Sequence, residues 1–312
     1  MHRRFILAGM AGTGVASLAP FQAMAQTPTA RGAIVRLDAF PSQNVAARRV
    51  DIWLPPDYAS SKKRYRVLYM HDGQNLFDPA NSTWNKVWAV DRHIENLLEN
   101  QKIHDVIVVG IWNTPLRTRE YAPADLVALL PKKLQEAMRA YAGGPILSDG
   151  YARFLAQELK PYIEANYRTR RGAEHHVLMG SSMGGLVSLY ALMRFPREFG
   201  AAACLSTHWP LSVPARGGWD EADWRAVIMA AERAFVQNSA LDPKRHRLYF
   251  DYGTETLDAA YEPYQQQVDQ ALAAKGFRFG QNWVTQRFPG AAHEENSWNA
   301  RLDTPLLFLL GR

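Results

Sequence analysis

Short apolar runs alternate with amphipathic segments along most of the chain. Runs such as 66–70 (RVLYM), 105–111 (DVIVVGI) and 247–251 (RLYFD) carry few polar residues, which is typical of strands buried on both faces of a sheet. The segments between them repeat apolar residues every three or four positions, which is typical of helices that pack on a sheet. This alternation predicts an α/β fold with a mostly parallel central sheet, right-handed crossovers and helices on both faces.

The pattern places the individual elements as follows. We expect strands at 33–37, 48–54, 66–70, 105–111, 176–180, 201–205, 247–251 and 282–288. We expect helices at 84–100, 149–167, 183–195, 223–235 and 261–274, and a further helix at the C-terminus. The first two strands alternate apolar and polar residues and are predicted to be edge strands. Residues 131–148 are interpreted as an insertion beside the site, either a lid or a solvated surface excursion.

The first 25 residues have the pattern of an export signal. A basic start at Arg3 and Arg4 precedes a weakly apolar run, and Ala23-Met24-Ala25 matches an A-x-A cleavage site. The RRFIL sequence is similar to a twin-arginine signal, although Sec export stays open. We therefore expect a periplasmic or secreted protein whose residues 26–312 form a single domain. An uncleaved anchor is the alternative, but the apolar run is short for a membrane span.

Composition narrows the function classes further. The chain has 312 residues, 47% of them hydrophobic, and a formal charge of +6, which becomes +4 without Arg3 and Arg4. No run of basic residues stands out, so we expect no nucleic-acid partner and no stable membrane insertion. The single cysteine, Cys204, lies in an apolar run and is predicted to be a buried strand residue. The sequence is silent on oligomeric state.

A G-x-S-x-G sequence between a strand and a helix is the strongest chemical signal in the chain. Gly180 and Gly184 flank Ser182 at a turn where side chains would crowd the backbone. Such a turn exposes the serine hydroxyl to a base and to a substrate. The backbone N–H of Met183, at the start of the helix, is predicted to bind the oxyanion that forms when Ser182 attacks a carbonyl.

The order of elements then indicates the other members of the site. In an α/β-hydrolase sheet the nucleophile is followed by an acid and then by a histidine after the last strand. His293 fits the histidine, and Glu255 and Asp258, in the loop after 247–251, are alternatives for the acid. We prefer Asp258 because it lies at a helix start and can reach back.

The loop that follows the strand at 66–70 supplies a second oxyanion donor. Gly73 lets the backbone approach, and the N–H of Gln74 is predicted to point inward. His71 is a candidate metal ligand or substrate contact. The chain contains no H-E-x-x-H sequence, no paired cysteines and no carboxylate cluster, so we predict no metal and no cofactor.

Four segments together resemble the esterase D-type putative esterases of the α/β-hydrolase fold. They are HDGQNLFD at 71–78, GSSMGG at 180–185, GTETLD at 253–258 and HEENSW at 293–298. This family includes feruloyl esterases, S-formylglutathione hydrolases, ferric-siderophore esterases and mycolyl transferases. The resemblance implies the same assignment of nucleophile, base and oxyanion donors. Many relatives place the acid where this chain has Thr256, and some use a Ser-His pair alone.

The expected activity is therefore ester hydrolysis through an acyl-enzyme on Ser182. The substrate is predicted to be a small-molecule or sugar-linked ester, with aromatic, sugar and siderophore esters as candidates. His71, Trp84, Tyr121 and His208 are the candidate substrate contacts, with Trp88 and Trp209 as further aromatic residues for the pocket. Two alternatives remain: acyl transfer at the same site, and a non-catalytic binding protein on a hydrolase scaffold.

Overall fold

A computed structural model describes residues 26–29, 31–211 and 220–312. Its strands are β1 (Gln26–Thr29), β2 (Gly32–Phe40), β3 (Arg48–Leu54), β4 (Arg66–His71), β5 (Val106–Ile111), β6 (His176–Ser181), β7 (Ala201–Leu205), β8 (Arg247–Gly253) and β9 (Trp283–Phe288). Its helices are α1 (Val90–Glu99), α2 (Arg117–Tyr121), α3 (Ala124–Ala128), α4 (Lys132–Ala142), α5 (Ser148–Arg153), α6 (Lys160–Asn166), α7 (Met183–Arg194), α8 (Glu221–Gln237), α9 (Glu262–Ala274), α10 (Glu295–Arg301) and α11 (Asp303–Leu310). The predicted leader, residues 1–25, lies outside the described residues.

The described strands form one sheet in the order β1-β2-β3-β5-β4-β6-β7-β8-β9. Strands β4 to β9 are parallel to one another, whereas β1, β2 and β3 extend the sheet as an antiparallel meander. This arrangement confirms the predicted α/β class and the α/β-hydrolase fold. The carboxyl ends of β4, β6, β7, β8 and β9 meet at one edge, where open α/β sheets bind their ligands.

Helices cover both faces of the sheet, because alternate residues of each strand point in opposite directions. Along β4, Val67 and Tyr69 join a core beneath α7, α8 and α9, and Leu68 and Met70 join a second core beneath α1 and α11. Cys204 is fully buried in β7, as its apolar surroundings predict. No helix in the described part of the chain has the length and apolar character needed to cross a bilayer.

The prediction that 33–37 and 48–54 are edge strands is wrong. Strand β3 lies inside the sheet between β2 and β5, and β1 occupies the edge. The one acidic residue of β3, Asp51, is 2% exposed and accepts two hydrogen bonds from Arg36 at 2.8 and 3.0 Å. The Asp51 carboxylate is therefore paired inside the protein instead of facing solvent.

The predicted helix at 84–100 is too long at its N-terminal end. Helix α1 begins at Val90, because Ala89 adopts a left-handed conformation with φ of 52°. The backbone before it is held by the 73–76 turn: Trp88 N–H donates to Asn75 O at 2.9 Å, and Val90 N–H donates to Leu76 O at 3.1 Å. Residues 84–88 consequently form a loop beside the site.

Three other predicted segments are divided or anchored differently. Helix α4 buries Leu134 and Met138, so residues 131–148 pack on the domain and are not a wholly solvated excursion. The predicted helix at 149–167 consists of α5, a π-helical segment at Phe154–Leu159, and α6. The predicted C-terminal helix is a pair, α10 and α11, joined at Leu302.

Candidate active site

Ser182 lies at the sharp turn between β6 and α7, in the strained conformation φ 57°, ψ −126°. The glycines on either side make the turn possible: a Cβ on Gly180 would lie 2.7 Å from the backbone of Gly184. The Ser182 N–H donates to Leu205 O at 2.9 Å, and its carbonyl accepts from His208 N–H at 3.2 Å. The end of β7 and the loop after it therefore hold the strained backbone of Ser182 in place.

Asp258 and His293 meet beside this turn. The imidazole Nδ1 of His293 lies 2.6 Å from Asp258 Oδ1, and the second carboxylate oxygen accepts from Ser206 Oγ at 2.5 Å and Gly253 N–H at 2.6 Å. Burial acts to raise the pKa of Asp258, but the hydrogen bonds from His293 and Ser206 hold it below its ordinary value. An ionised acceptor on Nδ1 fixes the tautomer and leaves Nε2 as the basic nitrogen.

The structure separates the two candidate acids. Glu255 is exposed and lies in extended backbone, one position before a short 3-10 helix, Thr256–Ala260. Asp258 lies on that helix and is 1% exposed. The Thr256 hydroxyl, on the same short helix, accepts a hydrogen bond from His293 N–H at 2.8 Å.

A cluster of buried polar residues holds the Asp258 carboxylate from behind, and sequence reasoning missed it. We call Ser206, Asp251, Trp298 and Arg301 the Ser206 cluster. Ser206 Oγ accepts from Trp298 Nε1 at 2.9 Å and from an Arg301 NH group at 2.8 Å while donating to Asp258. Arg301 also bonds Asp251 at 2.9 Å, and its nearest nitrogen is 4.0 Å from Asp258.

These four side chains come from the loop after β7, from β8 and from α10, across 95 residues, so no local motif marks them. The available signal was an arginine and a tryptophan three positions apart in the short helix after His293. All four are at most 5% exposed, and the hydroxyl of Ser206 uses both its donor and its acceptor capacity. The cluster therefore fixes the acid in one orientation.

The loop after β4 is fixed by a second buried carboxylate. Asp72 has φ of 55° and accepts two parallel hydrogen bonds from Arg117, both at 2.8 Å, and one from Asn113 at 2.7 Å. Despite burial, the positive charge of Arg117 keeps the pKa of Asp72 below its ordinary value. The next residue must be small, because a Cβ on Gly73 would lie 2.6 Å from the backbone of Gly110.

The two predicted oxyanion donors lie at neighbouring elements of this edge. Gln74 is 9% exposed, and its side-chain oxygen accepts from Asn113 N–H at 3.3 Å. The loop packs on the start of α7, since a Cβ on Gly184 would be 3.4 Å from the Asp72 carboxylate. The N–H of Met183 is the first of α7 and has no carbonyl of a preceding turn to bond.

Two of the predicted substrate contacts lie in the core beneath that loop. His71 is 2% exposed with its Nδ1 2.9 Å from the Tyr151 hydroxyl, and Tyr121 is fully buried against both rings. Burial lowers the pKa of His71 to about 3, so the ring is neutral. Both residues support the loop and do not face solvent, which corrects the prediction. His71 and Tyr121 are buried by Tyr151 from α5. This residue is distant in sequence, so the loop sequence alone does not predict the contact.

His71 was also a candidate metal ligand. In the parts of the chain that the structure describes, no three His, Cys, Asp or Glu side chains are grouped so that they could hold a metal ion. The buried charged residues near the loop are paired instead: Arg48 and Glu120, both fully buried, approach to 2.6 Å.

The tryptophans divide between core and rim. Trp84 is 71% exposed on the loop before α1, two residues from Lys86, which forms an ion pair with Glu294 beside His293. Trp88 and Trp209, by contrast, are at most 3% exposed, and the expectation that they line a pocket is wrong. Trp209 donates its indole N–H to Gln265 at 2.8 Å inside the core.

His208 is the remaining predicted contact, and it lies beside the nucleophile. Its backbone bonds the Ser182 carbonyl, its Nδ1 is 2.6 Å from the Tyr261 hydroxyl, and the Tyr261 ring meets His293 edge-on with centroids 5.7 Å apart. Burial lowers the pKa of His208 to about 4, and the nearby His293 acts in the same direction. His208 is therefore a neutral, partly exposed imidazole in the site.

The hydrogen bonds of the described residues include none between Ser182 and His293. In sites of this kind the bond between nucleophile and base is frequently long until a substrate is bound. The chain segment at the end of β7 connects the nucleophile to the acid. Leu205 and His208 bond the backbone of Ser182, and Ser206, which lies between them in sequence, bonds Asp258. The arrangement can support nucleophilic attack by a serine, assisted by a histidine base.

The chain is similar to known proteins in sequence and in fold. A family model described as a putative esterase matches residues 45–309. The uncharacterized protein YbbA of Bacillus subtilis (strain 168) is 25% identical over 271 residues, which is 85% of this chain and 93% of that protein.

Two solved structures share the fold at low identity. A ferulic acid esterase from Anaeromyces mucronatus, solved in complex with ferulic acid, is 19% identical with a TM-score of 0.58, over 92% of this chain and 97% of that one. The enterobactin esterase of Shigella flexneri, solved with 2,3-dihydroxy-N-benzoyl-glycine, is 20% identical with a TM-score of 0.59. That match covers 88% of this chain and only 59% of the enterobactin esterase.

Proposed function

The chain belongs to the putative esterase family and is a carboxylic ester hydrolase, and from this premise we propose that it is a serine esterase that works through an acyl-enzyme. Ser182 is the nucleophile, His293 the general base and Asp258 the acid. The observation that carries the proposal is the 2.6 Å contact between Asp258 and His293 beside a serine held at a strained strand-to-helix turn.

The geometry suggests a definite sequence of proton transfers. Asp258 holds the proton on His293 Nδ1, so Nε2 takes the hydroxyl proton as Ser182 attacks the ester carbonyl. The N–H groups of Met183 and Gln74 bind the negative oxygen, at the positive end of α7. His293 then gives its proton to the leaving alcohol, and a water molecule, activated in the same way, releases the acid from Ser182.

The substrate is an ester with an aromatic acyl part, with sugar and siderophore esters as the wider class. Both neighbours were solved with a compound that carries an aromatic ring and a carboxylate, 2,3-dihydroxy-N-benzoyl-glycine in one and ferulic acid in the other. In this chain two exposed side chains lie close in sequence to residues that bond the His293 loop. Trp84 is two residues from Lys86, which forms an ion pair with Glu294. Leu257, 56% exposed, follows Thr256, whose hydroxyl bonds the His293 N–H. An exposed aromatic ring at the rim of the site would stack on an aromatic acyl group.

Release of p-nitrophenol from short-chain p-nitrophenyl esters tests the serine mechanism. We expect turnover by the purified protein and its loss in Ser182→Ala, with the fold intact by circular dichroism. Methyl ferulate, an acetylated sugar and a catecholate-siderophore ester then define the substrate class. An added alcohol as acceptor distinguishes hydrolysis from acyl transfer in the products. Equal rates for the wild type and Ser182→Ala would contradict the proposal.

We also propose export after cleavage near Ala25. Support comes from the basic start, the short apolar run and the A-x-A site of the leader. N-terminal sequencing of the protein recovered from the periplasm of an expression host is expected to begin at Gln26. Replacing Arg3 and Arg4 by lysines blocks export if the twin-arginine route is used and leaves it unchanged if the Sec route is used.

A further inference from the structure

The hydrogen bond between Tyr261 and His208 has a consequence for substrate choice. Tyr261 is 1% exposed, and burial raises the pKa of its hydroxyl, so the phenol keeps its proton. Within the described residues His208 Nδ1 is the one hydrogen-bond partner of this hydroxyl, at 2.6 Å. A buried phenol that has a single acceptor donates to it, because an unpaired buried donor is costly. Nδ1 of His208 is therefore the acceptor.

The tautomer follows from that direction. A neutral imidazole carries one proton, so a ring that accepts at Nδ1 carries its hydrogen on Nε2. The pKa of His208, lowered to about 4 mainly by burial, keeps the ring neutral at and above neutral pH. No described residue hydrogen-bonds to Nε2, and the residue is partly exposed. His208 thus has an unused N–H donor.

The surroundings of the ring place this donor in the active site. Its own backbone N–H bonds the carbonyl of Ser182 at 3.2 Å. Its ring meets Tyr261 edge-on at 5.8 Å, and Tyr261 in turn meets His293 edge-on at 5.7 Å. His293 and Arg117, on the two sides of the site, both act to lower its pKa.

We infer that the His208 Nε2–H, oriented by Tyr261, is a hydrogen-bond donor to the substrate, and that the enzyme prefers esters with an oxygen acceptor close to the scissile carbonyl. This inference rests on the proposed serine-esterase function and narrows its substrate class. An ether, hydroxyl or carbonyl oxygen on the acyl or the alcohol part satisfies the donor, whereas a plain alkyl chain leaves it without a partner. A site with a placed donor selects against analogues that lack the acceptor.

Matched ester pairs that exchange one methylene for one oxygen measure this preference. The acyl pair is p-nitrophenyl butyrate and p-nitrophenyl methoxyacetate, and the alcohol pair is butyl acetate and 2-methoxyethyl acetate. For each pair the quantity is the ratio of kcat/KM for the oxygen ester to that for the methylene ester. Comparing variants with the wild type cancels the intrinsic reactivity of the esters.

Three variants separate a donor from a merely structural residue. His208→Leu removes the donor and is expected to lower the ratio by about three- to tenfold in at least one pair. His208→Gln keeps an N–H group at similar reach and is expected to retain most of the ratio. Tyr261→Phe leaves the His208 ring in place but no longer fixes its tautomer, so an intermediate fall in the ratio is expected. The ratios should not change between pH 6 and pH 9, because the ring stays neutral.

The outcomes distinguish this inference from the function on which it rests. Turnover with the same ratio in the wild type, His208→Leu and Tyr261→Phe, in both pairs, contradicts the donor role and leaves the serine esterase standing. Equal losses of kcat/KM for both members of each pair in the His208 and Tyr261 variants would indicate a structural role and would also overturn the inference. No turnover of any of the four esters, together with no labelling of Ser182 by a fluorophosphonate, overturns the proposed function itself.

Discussion

Two buried carboxylates flank Ser182, and they differ in the kind of partner they hold. Asp258 accepts from His293, whose charge changes with protonation, whereas Asp72 accepts two bonds from Arg117, whose charge is permanent. Both have a pKa held below the ordinary value in spite of burial. The same residue type in similar surroundings therefore serves proton transfer on one side of the nucleophile and loop geometry on the other.

This difference predicts unequal losses of kcat when either carboxylate or its partner is substituted. On the Asp258 side a substitution alters the tautomer and the charge of the base in the transition state. On the Asp72 side it displaces a loop that contributes one oxyanion donor. The stabilities of the variants should, by contrast, be affected on both sides.

The largest effect is expected for Asp258→Asn. An amide in place of the carboxylate favours the wrong tautomer of His293 and cannot stabilise the imidazolium, so kcat should fall by about 10³- to 10⁴-fold. Steady-state kinetics on a p-nitrophenyl ester provide the measurement. Glu255→Gln is the matched control and should stay within about twofold of the wild type, because that carboxylate is exposed. If the control loses more activity than Asp258→Asn, the acid is assigned to the wrong residue.

Arg117→Met should have the next largest effect on kcat. Without the two bonds to Asp72 the 72–74 loop is less well fixed, and a displaced oxyanion donor costs about 10- to 100-fold. Arg119→Met serves as control, since Arg119 is bonded to the exposed Pro145 carbonyl at 2.8 Å and not to the loop. Equal kinetics for the two variants would show that the Asp72 side does not position the oxyanion donor.

Ser206→Ala tests how the Ser206 cluster acts through Asp258. Removing the hydroxyl deprives the carboxylate of one donor and leaves groups of Trp298 and Arg301 unpaired, so kcat should fall by about tenfold. Loss of that donor also raises the pKa of Asp258. Ser188→Ala is the control, because among the described residues the hydroxyl of this buried serine bonds only the Gly184 carbonyl, at 2.8 Å. An unchanged kcat in Ser206→Ala would restrict the cluster to a structural role.

The smallest predicted effect concerns acid stability. The lowered pKa of Asp72 means that its pairing with Arg117 stabilises the fold above the ordinary carboxyl pKa and that this contribution is lost as pH falls through the lowered value. Asp72→Asn should therefore lose about 2 kcal/mol of stability at pH 7. Its Tm should converge on that of the wild type below about pH 4. A constant Tm difference from pH 7 to pH 2.5 would contradict the pairing.

Local sequence was sufficient for the parts of the site that depend on local backbone. Ser182 needs two glycines within a few residues and a strand-to-helix boundary, and these are visible in the chain. The α/β fold likewise follows from the alternation of apolar and amphipathic segments. The position of His293 follows from the order of the strands, since the loop after the last parallel strand reaches the same edge as the nucleophile.

Sequence was insufficient wherever contacts come from distant elements. Whether Glu255 or Asp258 faces the histidine depends on the turn at Thr256, which has φ of 55° and which no pattern marks. Tyr121 follows a strand end, yet Tyr151 and His71 bury it. Strand β3 resembles an edge strand by alternation, but the antiparallel β1 and β2 cover it.

The most direct test of the central claim is to locate the covalent adduct of a fluorophosphonate by peptide mass spectrometry, with ester turnover measured on the same samples. The account predicts a single adduct on Ser182 that abolishes turnover in the wild type, and neither adduct nor turnover in Ser182→Ala. An adduct on another residue that accompanies the loss of activity, or full turnover by Ser182→Ala, would contradict it.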